Sequence, residues 1–203
     1  MDAGRIRAYI YRMSQPHILA FAGSLRAESF NKKLVRCAAS TAEAAGARVT
    51  VINLNDYPLP VFDEDLEKQG TPENATKLKE LMKSSDGFLI ASPEYNSSLS
   101  AVLKNTIDWA SRPAEGEAPL AAFAGKAAVI MATSPGGLGG LRGLVHLRAI
   151  LGNIQVIVLP QQYALPKAHE AFDDQGQLKD AKAAETVAGL GQRLTEFLSK
   201  IVE

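Results

Sequence analysis

Residues 17–31 of the chain read HILAFAGSLRAESFN. After its first residue the run HILAFA is continuously apolar, which is typical of a parallel strand covered by helices on both faces. A helical pattern begins at Asn31, so the stretch from Gly23 to Asn31 is predicted to turn from a first strand into a first helix. Unpaired helix amides, serine hydroxyls and an arginine fork favour binding of a phosphate there, although Ser29 or Asn31 could also simply cap the helix. The candidate phosphate contacts are Ser24, Arg26, Ser29 and Asn31.

The composition predicts one domain that binds neither nucleic acid nor membranes. A chain of 203 residues is long enough for one well-buried α/β domain, and its 22 basic residues balance 22 acidic residues. No apolar run approaches the roughly 20 residues that span a bilayer. The single cysteine, Cys37, excludes an internal disulfide and favours a reducing, cytoplasmic location. Residues 1–14 lack the apolar centre of a secretory signal and are predicted to be an N-terminal extension to a domain of residues 15–203.

Apolar runs alternate with helical patterns along the rest of the chain. This alternation predicts an α/β fold with an open, five-stranded parallel sheet in the order 2-1-3-4-5 and helices on both faces. The segment Asn53–Gly70, rich in proline and acidic residues, is predicted to be a solvated surface loop. The strands predicted after the first are Val49–Ile52, Phe88–Ala91, Ala127–Ala132 and Gln155–Leu159.

Ligands of such sheets bind beyond the carboxyl ends of the strands, near the point where the strand order reverses. Three loops lie at that edge: Gly23–Asn31, Pro93–Ser98 after the third strand, and Thr133–Gly140 after the fourth. The third loop is not a dinucleotide fingerprint, because Arg142 occupies the sixth position of G-x-G-x-x-G and the loop does not open the first βαβ unit. Its glycines indicate either a backbone that approaches a flat ligand or a flexible surface loop.

No residue pattern predicts a catalytic nucleophile or a metal site. The sequence contains no G-x-S-x-G elbow, and its histidines, His17, His146 and His169, fall in unrelated elements. Spacings such as H-E-x-x-H or paired cysteines are also missing from the sequence. We therefore expect no metal, and an organic cofactor that brings its own chemistry.

Three motifs resemble those of the NAD(P)H-dependent FMN reductase family. They are Gly23–Asn31, Ser92–Asn96 together with Leu103–Trp109, and Ser134–Gly137, each after the appropriate strand. The resemblance covers about Ile18 to Val202. It implies a flavodoxin-like three-layer α/β/α sandwich that binds FMN, in a family whose members include quinone, chromate and azo-dye reductases.

The resemblance implies a role for each motif. The first loop would hold the FMN phosphate, the second would border the isoalloxazine ring through main-chain groups, and the third would contact the other side of the ring. No side chain is expected to act as a catalytic residue, because the chemistry takes place at N5 of FMN. The implied cofactor-binding residues are Ser24, Arg26, Ser29, Asn31, Pro93, Glu94, Tyr95, Asn96, Ser134, Gly136 and Gly137.

The implied activity is hydride transfer from NADPH or NADH to FMN, followed by two-electron reduction of a quinone or a similar flat acceptor. Because no second nucleotide motif is present, we expect both substrates to use one face in turn, with ping-pong kinetics. NADPH is expected over NADH, with Arg26 or Arg142 as candidate partners of the 2′-phosphate. Relatives pair through the Ser100–Ser111 element, which implies a homodimer or homotetramer with Trp109 in the interface, unless Trp109 is a core residue.

Two other functions are compatible with the same fold. One is a flavodoxin-type electron carrier that does not itself oxidise NAD(P)H, and the other is a phosphate-binding regulator without flavin. Carriers commonly have an acidic docking face, so the zero net charge and Arg26 favour the reductase.

Overall fold

A parallel sheet runs through the centre of the protein. In the computed structural model, which describes residues 15–201, the strands are, in chain order, β1 (His17–Ala22), β2 (Arg48–Ile52), β3 (Gly87–Ala91), β4 (Glu94–Tyr95), β5 (Ser98–Leu99), β6 (Ala127–Thr133), β7 (Ile157–Val158) and β8 (Tyr163–Leu165). The central sheet has six strands in the order β2-β1-β3-β6-β7, with β8 also paired to β6, while β4 and β5 form a separate antiparallel hairpin. The predicted extension, residues 1–14, lies outside the described residues.

Helices cover both faces of this sheet. They are α1 (Phe30–Ala44), α2 (Glu64–Gln69), α3 (Glu73–Lys83), α4 (Ala101–Ala110), α5 (Leu141–Asn153), α6 (Ala168–Ala171) and α7 (Ala181–Ile201). Alternate residues of β1 point into the two layers, as strand geometry requires. Ile18 and Ala20 belong to the core under α1 and α7, whereas Leu19 and Phe21 belong to the core under α3, α4 and α5. The predicted three-layer α/β/α sandwich is confirmed.

The predicted count of five strands is wrong, because two short strands occupy the fifth position. β7 pairs with Ala127 and Ala128 near the start of β6, and β8 pairs with the last residues of the same strand. Between them the chain leaves the sheet, and the Arg148 guanidinium donates to Val158 O at 3.1 Å and to Leu159 O at 2.9 Å. A side chain from α5 therefore takes the place of strand pairing at the break, and the predicted strand order is kept.

The segment 53–70 is structured, which corrects the prediction of a solvated loop. It contains a short 3₁₀ helix, Leu54–Asp56, as well as α2, and it packs on α4. Trp109 Nε1 donates to Pro60 O at 2.9 Å, and the rings of Phe62 and Trp109 meet edge to face at 5.0 Å. Only 1 % of Trp109 remains exposed, so Trp109 is a core residue of this chain and does not itself form an interface.

No helix between residues 15 and 201 combines the length and the apolar character needed to cross a membrane. Within the same residues, no three histidine, cysteine or acidic side chains come together as metal ligands.

Candidate active site

Three loops meet beyond the carboxyl ends of β1, β3 and β6, as the sequence predicts, and they enclose a cleft of about 120 Å³. Asn96, Gly136 and Gly137 belong to the same loops but lie outside the lining of this cleft. The lining comprises the predicted residues Ser24, Arg26, Ser29, Asn31, Pro93, Glu94, Tyr95 and Ser134, together with Phe30, Thr133 and Pro135.

The first loop is fixed by contacts between its backbone and two neighbouring elements. Gly23 N donates to Ala91 O at 2.9 Å, and Ser100 Oγ donates to Gly23 O at 2.6 Å. A Cβ on Gly23 would lie only 2.8 Å from Leu103 Cβ. Glycine is thus required here because α4 approaches closely, and this packing places the loop between β1 and α4.

The Ser29 hydroxyl is left available at the start of α1. Ser29 occupies the N-cap position with φ −78° and ψ 124°, but its side chain accepts no capping hydrogen bond. The residue is only 4 % exposed, and no acidic side chain lies in the first turn of α1. A buried hydroxyl beside unpaired helix amides, in a turn that also carries the exposed Arg26, is a favourable environment for an anion.

Asn31 uses its side chain to join two of the loops. Its Oδ1 accepts from Thr133 N at 3.0 Å, and its Nδ2 donates to Thr133 O at 2.9 Å. Asn31 and Thr133 are both buried, so this pair of hydrogen bonds holds the start of α1 against the end of β6. The Asn31 side chain is therefore engaged with protein backbone, and capping of α1 by Asn31 is excluded.

The second loop is a hairpin whose position is fixed by Glu94. Asn96 and Ser97 have φ values of 50° and 65°, as expected for the two central residues of a tight type I′ hairpin turn. The Glu94 carboxylate accepts from Gly143 N at 3.1 Å and lies 2.8 Å from Arg142 Nη2. Burial alone would raise the pKa of Glu94, but these hydrogen bonds outweigh it and hold the pKa below its ordinary value. Glu94 thus caps α5 with a charged side chain and ties the hairpin to that helix.

The glycines of the third loop fall into two pairs with different surroundings. Gly139 has φ +61°, and a Cβ there would lie 2.6 Å from the carbonyl carbon of Leu165. Gly140 has φ +93°, and its Cβ would lie 2.7 Å from Ala132 Cβ. Among the described residues, only Ser134 Oγ, at 3.8 Å, would come near a Cβ on Gly136, and nothing lies within 4 Å of one on Gly137. The first pair is needed for packing, whereas the second leaves open backbone at the carboxyl edge.

Comparison with known proteins agrees with this geometry. Residues 16–170 match the model of the family described as NADPH-dependent FMN reductase. An NAD(P)H-dependent FMN reductase of Pseudomonas aeruginosa is 36% identical, over 91% of this chain and 96% of its own length. A quinone reductase of Pseudomonas putida is 34% identical, over 83% of this chain and 88% of its own length. The chain belongs to the NADPH-dependent FMN reductase family.

A solved structure supports the same assignment. The flavoenzyme NAD(P)H:(acceptor) oxidoreductase FerB of Paracoccus denitrificans superposes with a TM-score of 0.78 at 29% identity, covering 91% of this chain and 98% of FerB. The flavodoxin-like fold predicted from the sequence is therefore confirmed for this FMN reductase.

The loops at this edge of the FMN reductase fit its cofactor in two independent respects, one inside the cleft and one beside it. The uncapped Ser29 hydroxyl and the unpaired amides at the start of α1 suit the phosphate of FMN. The open backbone at Gly136 and Gly137 suits a flat ring, since side chains at these positions would occupy the space that the glycines leave free. These two features lie on loops that Asn31 and Thr133 hold together.

Phe30, Thr133 and Pro135 line the cleft but were not among the predicted contacts. Phe30 and Pro135 lie inside motifs and Thr133 lies directly before one, so all three would have been found if every motif residue and the residue before each motif had been counted as a contact. Phe30 stacks on Phe172 with ring centroids 6.1 Å apart, a contact that no local pattern in the sequence predicts.

Proposed function

We propose that the protein works as its relatives are named: it takes reducing equivalents from NAD(P)H, holds FMN at the carboxyl edge of its sheet and reduces a quinone or a similar flat small molecule. We assign this activity to one domain, residues 15–203. The observation that carries the proposal is the pairing of an uncapped, buried Ser29 at the start of α1 with open glycine backbone in the adjacent loop. Together they provide one place for a phosphate and another for a flat ring.

In this proposal each loop has a distinct task. The hydroxyls of Ser24 and Ser29, the Arg26 guanidinium and the amides that open α1 bind the phosphate. Residues 93–96, at the start of the hairpin, border the ring with backbone groups. The Glu94 carboxylate, bonded to Gly143 N and Arg142 on α5, keeps these groups in place. Ser134, Gly136 and Gly137 border the opposite side. Bound FMN supplies hydride chemistry at N5, while this chain's residues bind and orient the reactants.

An anaerobic absorption spectrum tests the cofactor and the donor together. The purified protein is expected to show the absorption of oxidised FMN, to lose it on addition of NADPH alone, and to regain it on addition of a quinone. A flavin that stays oxidised in the presence of NADPH and NADH would show a flavodoxin-type carrier instead. A colourless protein that does not bind added FMN would contradict the assignment altogether.

We further propose that donor and acceptor occupy the same face of the cleft in turn. Ordinary steady-state kinetics check this scheme. Double-reciprocal plots at several quinone concentrations should give parallel lines, and intersecting lines would show that both substrates bind together.

We also propose a homodimer or homotetramer, with the interface on the exposed faces of α4 and α5. Val145 on α5 is 59% exposed. Leu141 on the same helix, Leu138 in the loop before it and Tyr95 in the β4–β5 hairpin are also exposed apolar residues. A groove of about 440 Å³ separates the two helices, and an apolar face of this kind on a soluble domain is a candidate interaction site. The groove is lined by Ser98, Leu99, Ser100, Ala101, Lys104, His146, Ala149 and Ile150.

Sedimentation velocity tests the interface. Val145→Glu should convert the oligomer into monomers, whereas Val61→Glu, a matched change at an apolar residue that is 83% exposed, should leave it intact. A wild-type monomer, or an unaffected Val145→Glu oligomer, contradicts this interface.

The half-buried Cys37 has no disulfide partner among residues 15–201, and we propose a cytoplasmic location that cell fractionation can check.

A further inference from the structure

A fourth loop reaches the carboxyl edge of the sheet, and it belongs to none of the three motifs. Lys167 follows β8 by two residues, and its backbone N–H donates to Gly136 O at 3.4 Å. The next residue, Ala168, donates from its N–H to Ser134 O at 3.0 Å. Lys167 is exposed. It therefore lies on the rim of the proposed flavin site, directly beside the open glycines.

The backbone of Lys167 is held in an unusual conformation. With φ 52° and ψ 45°, it occupies the left-handed region, which lysine adopts rarely and which asparagine or glycine adopts more readily. The hydrogen bonds to Gly136 and Ser134 maintain this conformation. The position of Lys167 is thus set by the glycine loop, which is the same segment that borders the proposed ring site.

Other cations that the described residues place on these loops and helices have contacts of their own. The Arg142 guanidinium pairs with Glu94, and Arg148 donates to the backbone at the break between β7 and β8. Lys33 Nζ lies 6.0 Å from the centre of the Phe30 ring. Arg26 lies in the turn assigned to the FMN phosphate. Lys167 forms no ion pair within residues 15–201, so its charge is available to a ligand.

The proposed reaction creates a need for such a residue. A nicotinamide dinucleotide carries phosphate charges, whereas a quinone carries none, and both must use the same flat surface in turn. A cation on that surface would disfavour the neutral acceptor, but a cation on the rim can bind a phosphate and leave the ring surface free.

We propose that the Lys167 ammonium binds a phosphate group of the nicotinamide donor and so determines donor affinity. This rests on the proposed function, since it requires NAD(P)H to bind over the glycine loop. It replaces Arg142 as a candidate for this role, because the Arg142 guanidinium is held by the Glu94 carboxylate.

Two substitutions at Lys167 and one matched control test the proposal on the FMN-loaded protein. Lys167→Asn removes the charge with a residue that suits the left-handed backbone, and Lys167→Arg keeps the charge. Lys182→Asn makes the same change at an exposed lysine in the first turn of α7. We expect Lys167→Asn to raise KM for NADPH about tenfold with kcat and the quinone KM unchanged, as loss of one charge-assisted hydrogen bond predicts. Lys167→Arg should restore the wild-type KM, and Lys182→Asn should not change it.

A binding measurement gives a readout that does not depend on turnover. Calorimetric titration of NADP⁺ into the oxidised protein should show the same tenfold loss of affinity for Lys167→Asn. KM values measured with NADH show which phosphate of the donor Lys167 binds. An equal rise in KM for NADH and NADPH identifies the pyrophosphate, and a rise for NADPH alone identifies the 2′-phosphate. Unchanged KM values for both donors, or an equal rise in the quinone KM, would overturn the proposal. Failure of wild-type protein to oxidise either nucleotide would instead disprove the proposed function itself.

Discussion

The two edges of the central sheet carry similar polar residues but use them in opposite ways. At the amino edge, the ring nitrogens of His17 lie 2.7 Å from Ser84 O and 2.8 Å from Thr50 Oγ1, and His17 N donates to Asp86 Oδ2 at 2.7 Å. Lys126 Nζ donates to Lys83 O at 3.1 Å and to Ser85 O. These polar groups satisfy one another, so the ones described here are already engaged with the protein itself.

The carboxyl edge leaves comparable groups unpaired. Ser29 makes no capping bond, Arg26 is exposed, and the space beside Gly137 is open in the described chain. The difference shows that residue type alone does not identify a binding site. What distinguishes the two edges is whether the protein itself already satisfies the polar groups.

The largest expected effect comes from removing the unpaired groups. The double change Arg26→Ala and Ser29→Ala should raise the Kd for FMN about 100-fold or more, because two hydrogen bonds to a charged phosphate contribute about 1.5–3 kcal/mol each. The free energy of unfolding of the apoprotein should change by less than about 1 kcal/mol, since neither side chain supports the fold. Titration of FMN into apoprotein, with urea unfolding alongside, measures both. Glu28→Ala is the control from the same turn, and an unchanged Kd in the double variant would refute the phosphate assignment.

Two glycines in one loop separate folding from binding. Gly139→Ala should lower the free energy of unfolding by about 2–4 kcal/mol, because it adds left-handed strain to a contact of 2.6 Å with backbone. Gly137→Ala should leave stability within about 1 kcal/mol and should instead weaken FMN binding, since its Cβ enters the open space. Thermal unfolding and FMN titration of both variants distinguish these outcomes. Equal destabilisation by both would mean that the loop acts only in packing.

Much of the fold could be predicted because its signals are local. Apolar runs located β1, β2, β3 and β6 but not the short strands β4, β5 and β8. The helical pattern that begins at Asn31 and the Ser100–Ser111 element correspond to α1 and α4. The contacts that sequence reasoning missed join different elements: Trp109 packs on Phe62, and Arg148 of α5 donates to backbone oxygens at the break between β7 and β8. Such contacts depend on how elements pack against one another, which the periodicity within a single element does not predict.

The candidate site shows the same limit. The three loops were predicted from the sequence, and the structure brings them together. The sequence did not indicate that the Asn31 side chain binds Thr133 or that Glu94 caps α5. The sequence analysis also gave the four glycines of the third loop a single role. The space that a Cβ would enter at Gly139 and Gly140 depends on β8, which comes later in the chain, and on Ala132 in the preceding strand.

At the amino edge we expect a substitution to lower stability and leave FMN affinity unchanged, the reverse of the result expected for Arg26 and Ser29. Lys126→Met should lower the free energy of unfolding by about 1–3 kcal/mol, since it leaves two carbonyls at the end of α3 without a donor. Burial also lowers the pKa of Lys126. FMN affinity should not change. Lys77→Met, in an exposed ion pair with Glu73, is the control and should change stability by about 0.5 kcal/mol or less. A loss of flavin binding in Lys126→Met would show that the two edges are not independent.

The smallest effect is expected at Glu94. This residue lies at the carboxyl edge, but its carboxylate already has protein partners, like the polar groups at the amino edge. Substituting it therefore tests whether a residue binds FMN because of its place in the sheet or because its polar group is unpaired. Since the folded pKa of Glu94 is lowered from 4.5, its contribution to stability is present above that pH and disappears as the pH falls through the folded pKa. Glu94→Gln should therefore be less stable than wild type by about 0.5–1 kcal/mol at pH 7, the usual contribution of a carboxylate at a helix N-terminus, and equally stable once Glu94 is protonated. Urea unfolding of both apoproteins from pH 7 down to pH 3 measures the difference. A gap that persists at low pH would mean that Glu94 acts through shape and not through charge, and an altered FMN Kd at unchanged stability would place its carboxylate among the groups that bind the cofactor.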